Sequence, residues 1–155
     1  MITGLTAIFF IALTVGLHYK ALQFTAYLIE PRVARHDFWI AAAIVLMVLA
    51  HLVEIGLFAC GWWALMRFGH IQLVMFDPIS GVTAIRDSAA IDDLIYFSGV
   101  VYSSLGFGDI IPIGAGRRFA IAESVLGLVL IAWTASYSYL LMQRNWEQRR
   151  QLEGL

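Results

Sequence analysis

The sequence predicts an all-α membrane protein: three spanning helices and one short helix that enters the membrane without crossing it. Three observations lead there. Hydrophobic residues fill 61% of the 155 positions and charged residues 14%, with a mean hydropathy of +0.80, far from the balance of a soluble domain. Three apolar stretches, Thr3–Ile29, Phe38–Met66 and Phe119–Met142, each reach the roughly 20 residues a helix needs to cross hydrocarbon. Between the second and third, Ile91–Tyr102 has a helix-like apolar pattern but is too short to cross, and Ser103-Ser104-Leu105-Gly106-Phe107-Gly108-Asp109 comes directly after it.

The same numbers exclude other classes. A net charge of -1, with no dense basic cluster, gives no footprint for a nucleic acid or another polyanion. One cysteine, Cys60, lies inside an apolar span, so neither a disulfide framework nor a cysteine metal site is expected, and it reads as a small buried hydrophobe. The first Lys or Arg is Lys20, which argues against a cleaved leader and for Met1 onward as mature chain. No nucleophile with a base and no phosphate loop is legible, so no enzyme, small-molecule substrate or cofactor is expected.

In chain order, Leu5–Leu17 is cleanly apolar, His18-Tyr19-Lys20 interrupts, and Ala21–Ile29 resumes. Lys20 then lies within the span. It either snorkels to the nearer surface or, as an intramembrane charge, pairs with Glu54 or serves gating. Glu30–Asp37 is a polar connection in which Pro31 marks a helix break. The second span carries His51 and Glu54, three apart and so on one helix face. They read as a polar pair facing neighbouring helices or as a pH-sensing group. A metal site would need further ligands, and the sequence offers no second His/Glu cluster.

Positions 67–90 form the one long polar-leaning connection, with Gly69, Asp77-Pro78, Gly81 and Arg86-Asp87-Ser88. It is expected as an extracellular loop whose apolar middle, Ile71–Phe76, packs on the membrane surface or a neighbouring subunit. Asp87 or Ser88 is placed to cap the next helix, and Asp92-Asp93 lie early in it, where negative charge suits the dipole. That helix, 91–103, would aim its negative C-terminal end toward the segment 104–109. This segment has glycine at alternate positions, 106 and 108, and glycine visits left-handed dihedrals that other residues avoid. A strand alternating right- and left-handed conformations can turn successive carbonyls to one side. Four such strands around an axis would stack rings of oxygens able to replace the water shell of a cation. Irregular backbone at that depth is tolerated only where it is buried or lines water.

Ser104-Leu105-Gly106-Phe107-Gly108-Asp109 resembles the potassium-channel filter pattern Thr-Val-Gly-Tyr/Phe-Gly-Asp. The likeness extends to Tyr96-Phe97-Ser98, to Ser103-Ser104 in place of a Thr pair, to Pro112 and Arg117, and to Gly127 where that family often has a hinge glycine. The chain as a whole resembles the small bacterial three-span pore-loop proteins. The resemblance implies a homotetramer in the lipid bilayer, since one pore loop per chain requires four chains. It implies potassium ions bound by backbone oxygens of Ser104, Leu105, Gly106, Phe107 and Gly108, with the Ser104 hydroxyl as innermost ring and Asp109 and Ser103 as filter support. Ser for Thr at 104 and Leu for Val at 105 depart from the pattern and admit a weakly selective cation channel. A non-conducting accessory or sensor protein that keeps the pore-loop fold is the other alternative.

By the same resemblance the third span lines a cavity, with Gly127 as hinge and Leu128, Ile131, Ala135 and Tyr139 facing the ions; a rotation of one residue would bring Ala132 and Ser136 inward instead. Residues 143–155 read as a short cytoplasmic helix or tail. The units expected are 1–37, an extra N-terminal helix with its connection; 38–142, a pore domain (outer helix 38–66, loop 67–90, pore helix 91–103, filter 104–109, inner helix 118–142); and 143–155. With the filter loop outside, the N-terminus is extracellular and the C-terminus cytoplasmic. Arg32, Arg35, Arg144, Arg149 and Arg150 then lie inside, in keeping with the positive-inside rule, against Arg67, Arg86, Arg117 and Arg118 outside. Asp77, Asp87, Asp92, Asp93 and Asp109 would draw cations to the outer mouth. No helix shows the regular arginines of a voltage sensor.

Overall fold

The computed structural model describes residues 2–33, 38–76 and 83–153. Arg35 and Asp37 of the first connection, and Asp77, Pro78 and Gly81 of the outer loop, lie outside the described residues, as do the side chains of Arg32 and Arg149. Helix α1 is Ile2–Val33, α2 is Phe38–Arg67, α3 is Ile91–Tyr102 and α4 is Gly116–Glu153. Three of them, all but α3, are long and apolar enough to cross a membrane. This is an all-α membrane fold of three spanning helices, with one short helix packed on α2 and α4.

The helices pack by small and aromatic residues. α1 lies against both α2 and α4. It presents a buried stripe of Thr3, Ala7, Thr14, His18, Leu22, Thr25 and Ile29, at the spacings of three, four and seven that mark one helix face. The core gathers Phe58 and Trp62 of α2, Leu94 and Phe97 of α3, and Phe119 and Leu130 of α4. Trp62 meets Phe97 and Phe119 edge-on at 4.8 and 4.9 Å, a geometry that aromatic quadrupoles favour. A Cβ on Gly61 would come within 2.9 Å of the Phe119 ring, so glycine there lets α2 approach. Trp62, Phe58 and Phe119 are fully buried, whereas most apolar side chains of the spans face outward, as lipid contact requires.

The structure corrects four expectations. The connection 67–90 contains strands β1, Gln72–Phe76, and β2, Thr83–Arg86, and β3, Ile110–Ile113, joins them in a sheet of order β2-β1-β3. Both pairings of β1 are antiparallel, with Val74 opposite Ile85 on one side and Ile111 on the other. Pro112 falls in edge strand β3, where a missing donor is tolerated. The α3 N-cap is Ala90 with no side-chain cap, because Asp87 instead accepts a hydrogen bond from Gln72 at 2.6 Å. Residues 143–153 are no separate helix: α4 continues through them, for a length of about 57 Å at 1.5 Å per residue. Cys60 is exposed rather than buried, on an outward face of α2.

Candidate functional site

The α3 helix ends in a tightly bonded turn. Ser103 N–H donates to Gly99 O at 3.1 Å, Ser104 N–H to Val101 O and Leu105 N–H to Val100 O at 3.0 Å each, and Ser103 Oγ donates to Gly99 O at 2.6 Å. Beyond it the backbone alternates. Ser104, Gly106 and Gly108 have φ of 59°, 63° and 83°, whereas no other non-glycine among the described residues has positive φ. A left-handed serine costs roughly 1–2 kcal/mol, and its hydroxyl lies 2.7 Å from Ser124 Oγ of α4, which holds it. No atom lies within 4 Å of a Cβ built on Gly106 or Gly108, so backbone conformation rather than crowding calls for glycine there.

The outer end of this strand is held twice. Tyr96 OH donates to Asp109 Oδ2 at 2.8 Å, a bond that pushes the exposed Tyr96 phenol above its usual value. The Asp109 carbonyl accepts from Phe76 N–H at 2.9 Å, which fastens the strand to β1. Behind it, buried Glu123 of α4 accepts from Trp62 Nε1 at 2.6 Å and bonds Ser98 of α3. Ser98 Oγ is also 2.8 Å from Ile55 O, so Glu123 joins α2, α3 and α4 just behind the strand. On one side of the strand is an open cavity of about 420 Å³ lined by Phe97, Val101, Gly106, Ala120, Ser124 and Val125 among others. Leu105 and Phe107 stand 62% and 66% exposed.

A second polar centre lies deeper, between all four helices. Glu54 is fully buried. Its Oε1 is 2.8 Å from His18 Nδ1, and its Oε2 is 3.0 Å from His51 Nδ1 and bonded by Tyr102 OH. Tyr102 OH is also 2.9 Å from His51 Nδ1. Thr134 Oγ1 lies 3.0 Å from His51 Nε2 and 3.4 Å from His18 Nε2. His18, His51 and Glu54 have one potential ligand atom each within 4.8 Å of the others.

The sequence-predicted residues are only partly brought together. His51 and Glu54 meet, but Lys20 does not join them: its ammonium donates to Gln23 at 3.1 Å, because residue 20 lies off the buried stripe of α1. His18 takes the place that one of the two readings of Lys20 gave to that residue. His18, Tyr102, Thr134, Ser124 and Glu123's partners were not assigned from sequence. His18 carries a legible signal, since it falls four and seven residues from Thr14 and Thr25 on one face; Tyr102 and Thr134 are ordinary helix residues until the helices pack. Gly127 abuts the Tyr102 carbonyl, and a Cβ there would come within 2.1 Å of it. Leu128, Ile131, Ala135 and Tyr139 form an outward-facing, exposed stripe of α4.

A re-entrant helix, a strand with alternating handedness and three spanning helices define a pore-loop membrane protein. The sequence model of a family described as ion channel matches residues 37–144, and the chain belongs to that family, the pore-loop family of the potassium channels. It is similar to Protein LctB of Geobacillus stearothermophilus, 32% identical over 80 residues, and to Protein LctB of Bacillus caldotenax, 31% identical. Each alignment covers 46% of this chain and 60% of the relative, so the chain spans about three fifths of the LctB proteins it matches. An uncharacterized membrane protein of Bacillus subtilis (strain 168), YdjJ, is 33% identical over 94 residues, covering 59% of this chain and 25% of that protein. No solved structure matches.

Proposed function

We propose that four copies of this chain form a potassium-selective channel that passes ions down their gradient through Ser104, Leu105, Gly106, Phe107 and Gly108. One observation carries the reading: the left-handed dihedrals at 104, 106 and 108, which recur at every second residue as a strand with all its carbonyls turned one way requires. The exposed Leu105 and Phe107 and the apolar cavity beside them favour assembly, because apolar side chains next to a water path need a neighbouring copy to cover them. Asp109 braces the filter mouth and Ser103 its base; Gly127 is the gating hinge, and Leu128, Ile131, Ala135 and Tyr139 line the cavity. The filter mouth and the α1 N-terminus face outward, and the end of α4 faces the cytoplasm.

A weakly selective cation channel is the second reading, favoured by Ser in place of Thr at 104 and Leu in place of Val at 105, with Leu105 62% exposed in the single chain. Flux from liposomes of purified protein, with potassium, sodium and barium compared, separates the readings. Potassium flux well above sodium flux, blocked by barium and lost in Gly106→Ala, is the expected result. Equal potassium and sodium flux supports the second reading. No flux from the wild type returns the chain to a non-conducting accessory role, and wild-type flux from Gly106→Ala removes the filter assignment.

A further inference from the structure

We propose that His18, His51, Glu54, Tyr102 and Thr134 form an intramembrane site that holds one proton, shared between the two imidazoles, and that its occupancy ties α1 to the end of the pore helix. The site itself stands on geometry; its effect on flux rests on the channel reading above.

A counter-charge is the first requirement. Glu54 is fully buried in a spanning helix, where a lone carboxylate is expensive. Lys20 points to Gln23, and the ion-pair partners of Glu54 among the described residues are His18 and His51. The groups facing the site are His18 from α1, Glu54 and His51 from α2, Tyr102 from α3, and Thr134 from α4. The Trp133 ring covers His18 at 5.4 Å. The next carboxyl, Glu123 of α4, is engaged by Trp62 and Ser98.

The hydrogens then count out. Thr134 has a single hydroxyl hydrogen and lies between two imidazole Nε2 atoms at 3.0 and 3.4 Å, so it donates to only one. The other contact is a hydrogen bond only when that second Nε2 is itself protonated. Both Nδ1 atoms face Glu54 and donate to it when its carboxylate is ionised, so the second imidazole then carries two protons. With one added proton each contact to Glu54 and to Thr134 has its hydrogen, and the Tyr102 oxygen lies beside the same His51 Nδ1–H at 2.9 Å. His18 donates to Glu54 and to Thr134, Thr134 donates to His51, His51 donates from Nδ1 to Glu54, and Tyr102 donates to Glu54. The mirror arrangement, with the extra proton on His51, differs only by rotation of the Thr134 hydroxyl. Either way the cluster is neutral. A divalent metal would leave one net positive charge in the same apolar setting.

Occupancy reaches the filter by a short route. Tyr102 is the last residue of α3 and its carbonyl lies under Gly127. Losing the proton sets two lone pairs against each other at Thr134 and leaves Glu54 uncompensated. The site therefore holds while the proton is bound and loosens when it leaves, and potassium flux falls with it.

The test is nitrogen NMR of the full-length protein in lipid bilayers, labelled on histidine, in a His36→Gln, His70→Gln background that leaves only the two site imidazoles. Expected at pH 5 is one doubly protonated imidazole per chain, not two, released in one step as pH is raised; in Glu54→Gln none is expected. A count of zero or two at pH 5, an unchanged count in Glu54→Gln, or one metal ion per chain by elemental analysis overturns the proposal. Potassium flux that stays flat across the pH range in which the proton leaves overturns the coupling to the filter. Absence of flux at every pH tells against the channel reading alone, since the NMR count decides the site independently.

Discussion

The Tyr102 carbonyl lies so close beneath Gly127 that a methyl group on α4 would come within 2.1 Å of it. This contact sets how the end of α3 seats on α4, one residue before the turn that opens the strand 104–109. Gly127→Ala is expected to separate α4 from α3, at about 1–3 kcal/mol for overpacking. A lower unfolding temperature of the purified protein, together with reduced flux, checks it. A variant as stable and as conductive as the wild type removes the contact from the account, whereas hinge motion at Gly127 is read separately, from gating kinetics.

Tyr96 and Asp109 act as one brace. Their 2.8 Å hydrogen bond is exposed, so each single loss, Tyr96→Phe or Asp109→Asn, is expected to cost little stability. Both variants should lower potassium flux to a similar degree, and the double variant should match either single one, because the interaction is removed once. Additive losses in the cycle count against a shared role.

Glu123 offers a sharper contrast. Ser98 has one hydroxyl hydrogen and two acceptors in reach, Ile55 O and Glu123 Oε1. Both contacts are met when the carboxyl donates to Ser98 and Ser98 donates to Ile55. Glu123→Gln reproduces that pattern, with its amide donating to Ser98 and its oxygen accepting from Trp62, and is expected to leave stability and flux near wild type. Glu123→Ala strands the buried Trp62 N–H at about 1–3 kcal/mol and should lower the unfolding temperature. If Gln proves as damaging as Ala, a charged Glu123 is required instead.

The small sheet holds the far end of the strand 104–109 through Phe76 and Asp109. Proline in a central strand removes a ladder donor, and β1 is central. In Val74→Pro, hydrogen exchange at residues 110–113 should accelerate while the α1–α2 contact keeps its protection. Unchanged exchange at 110–113 means that the sheet does not support that strand.

Much of this was legible in the chain itself. The three spans follow from apolar length, which is set residue by residue. The short helix and its glycine strand are visible because glycine is the residue that takes positive φ at no steric cost, as Gly106 and Gly108 do. The left-handed Ser104 was not, since its conformation depends on Ser124 from another helix. The sheet was hidden for a related reason: β1 finds β3 nearly forty residues on, and a five-residue strand carries little local signal without its partner.

Sequence by itself determined that this is a three-span pore-loop protein and which strand carries the glycines, because hydrophobic length and left-handed backbone are local properties. Only the tertiary structure decided which polar groups meet. Glu54 was given Lys20 as a possible partner by sequence and His18 by packing, since the face of α1 that is buried, and not the order of residues along it, selects what lies within 3 Å of the carboxylate.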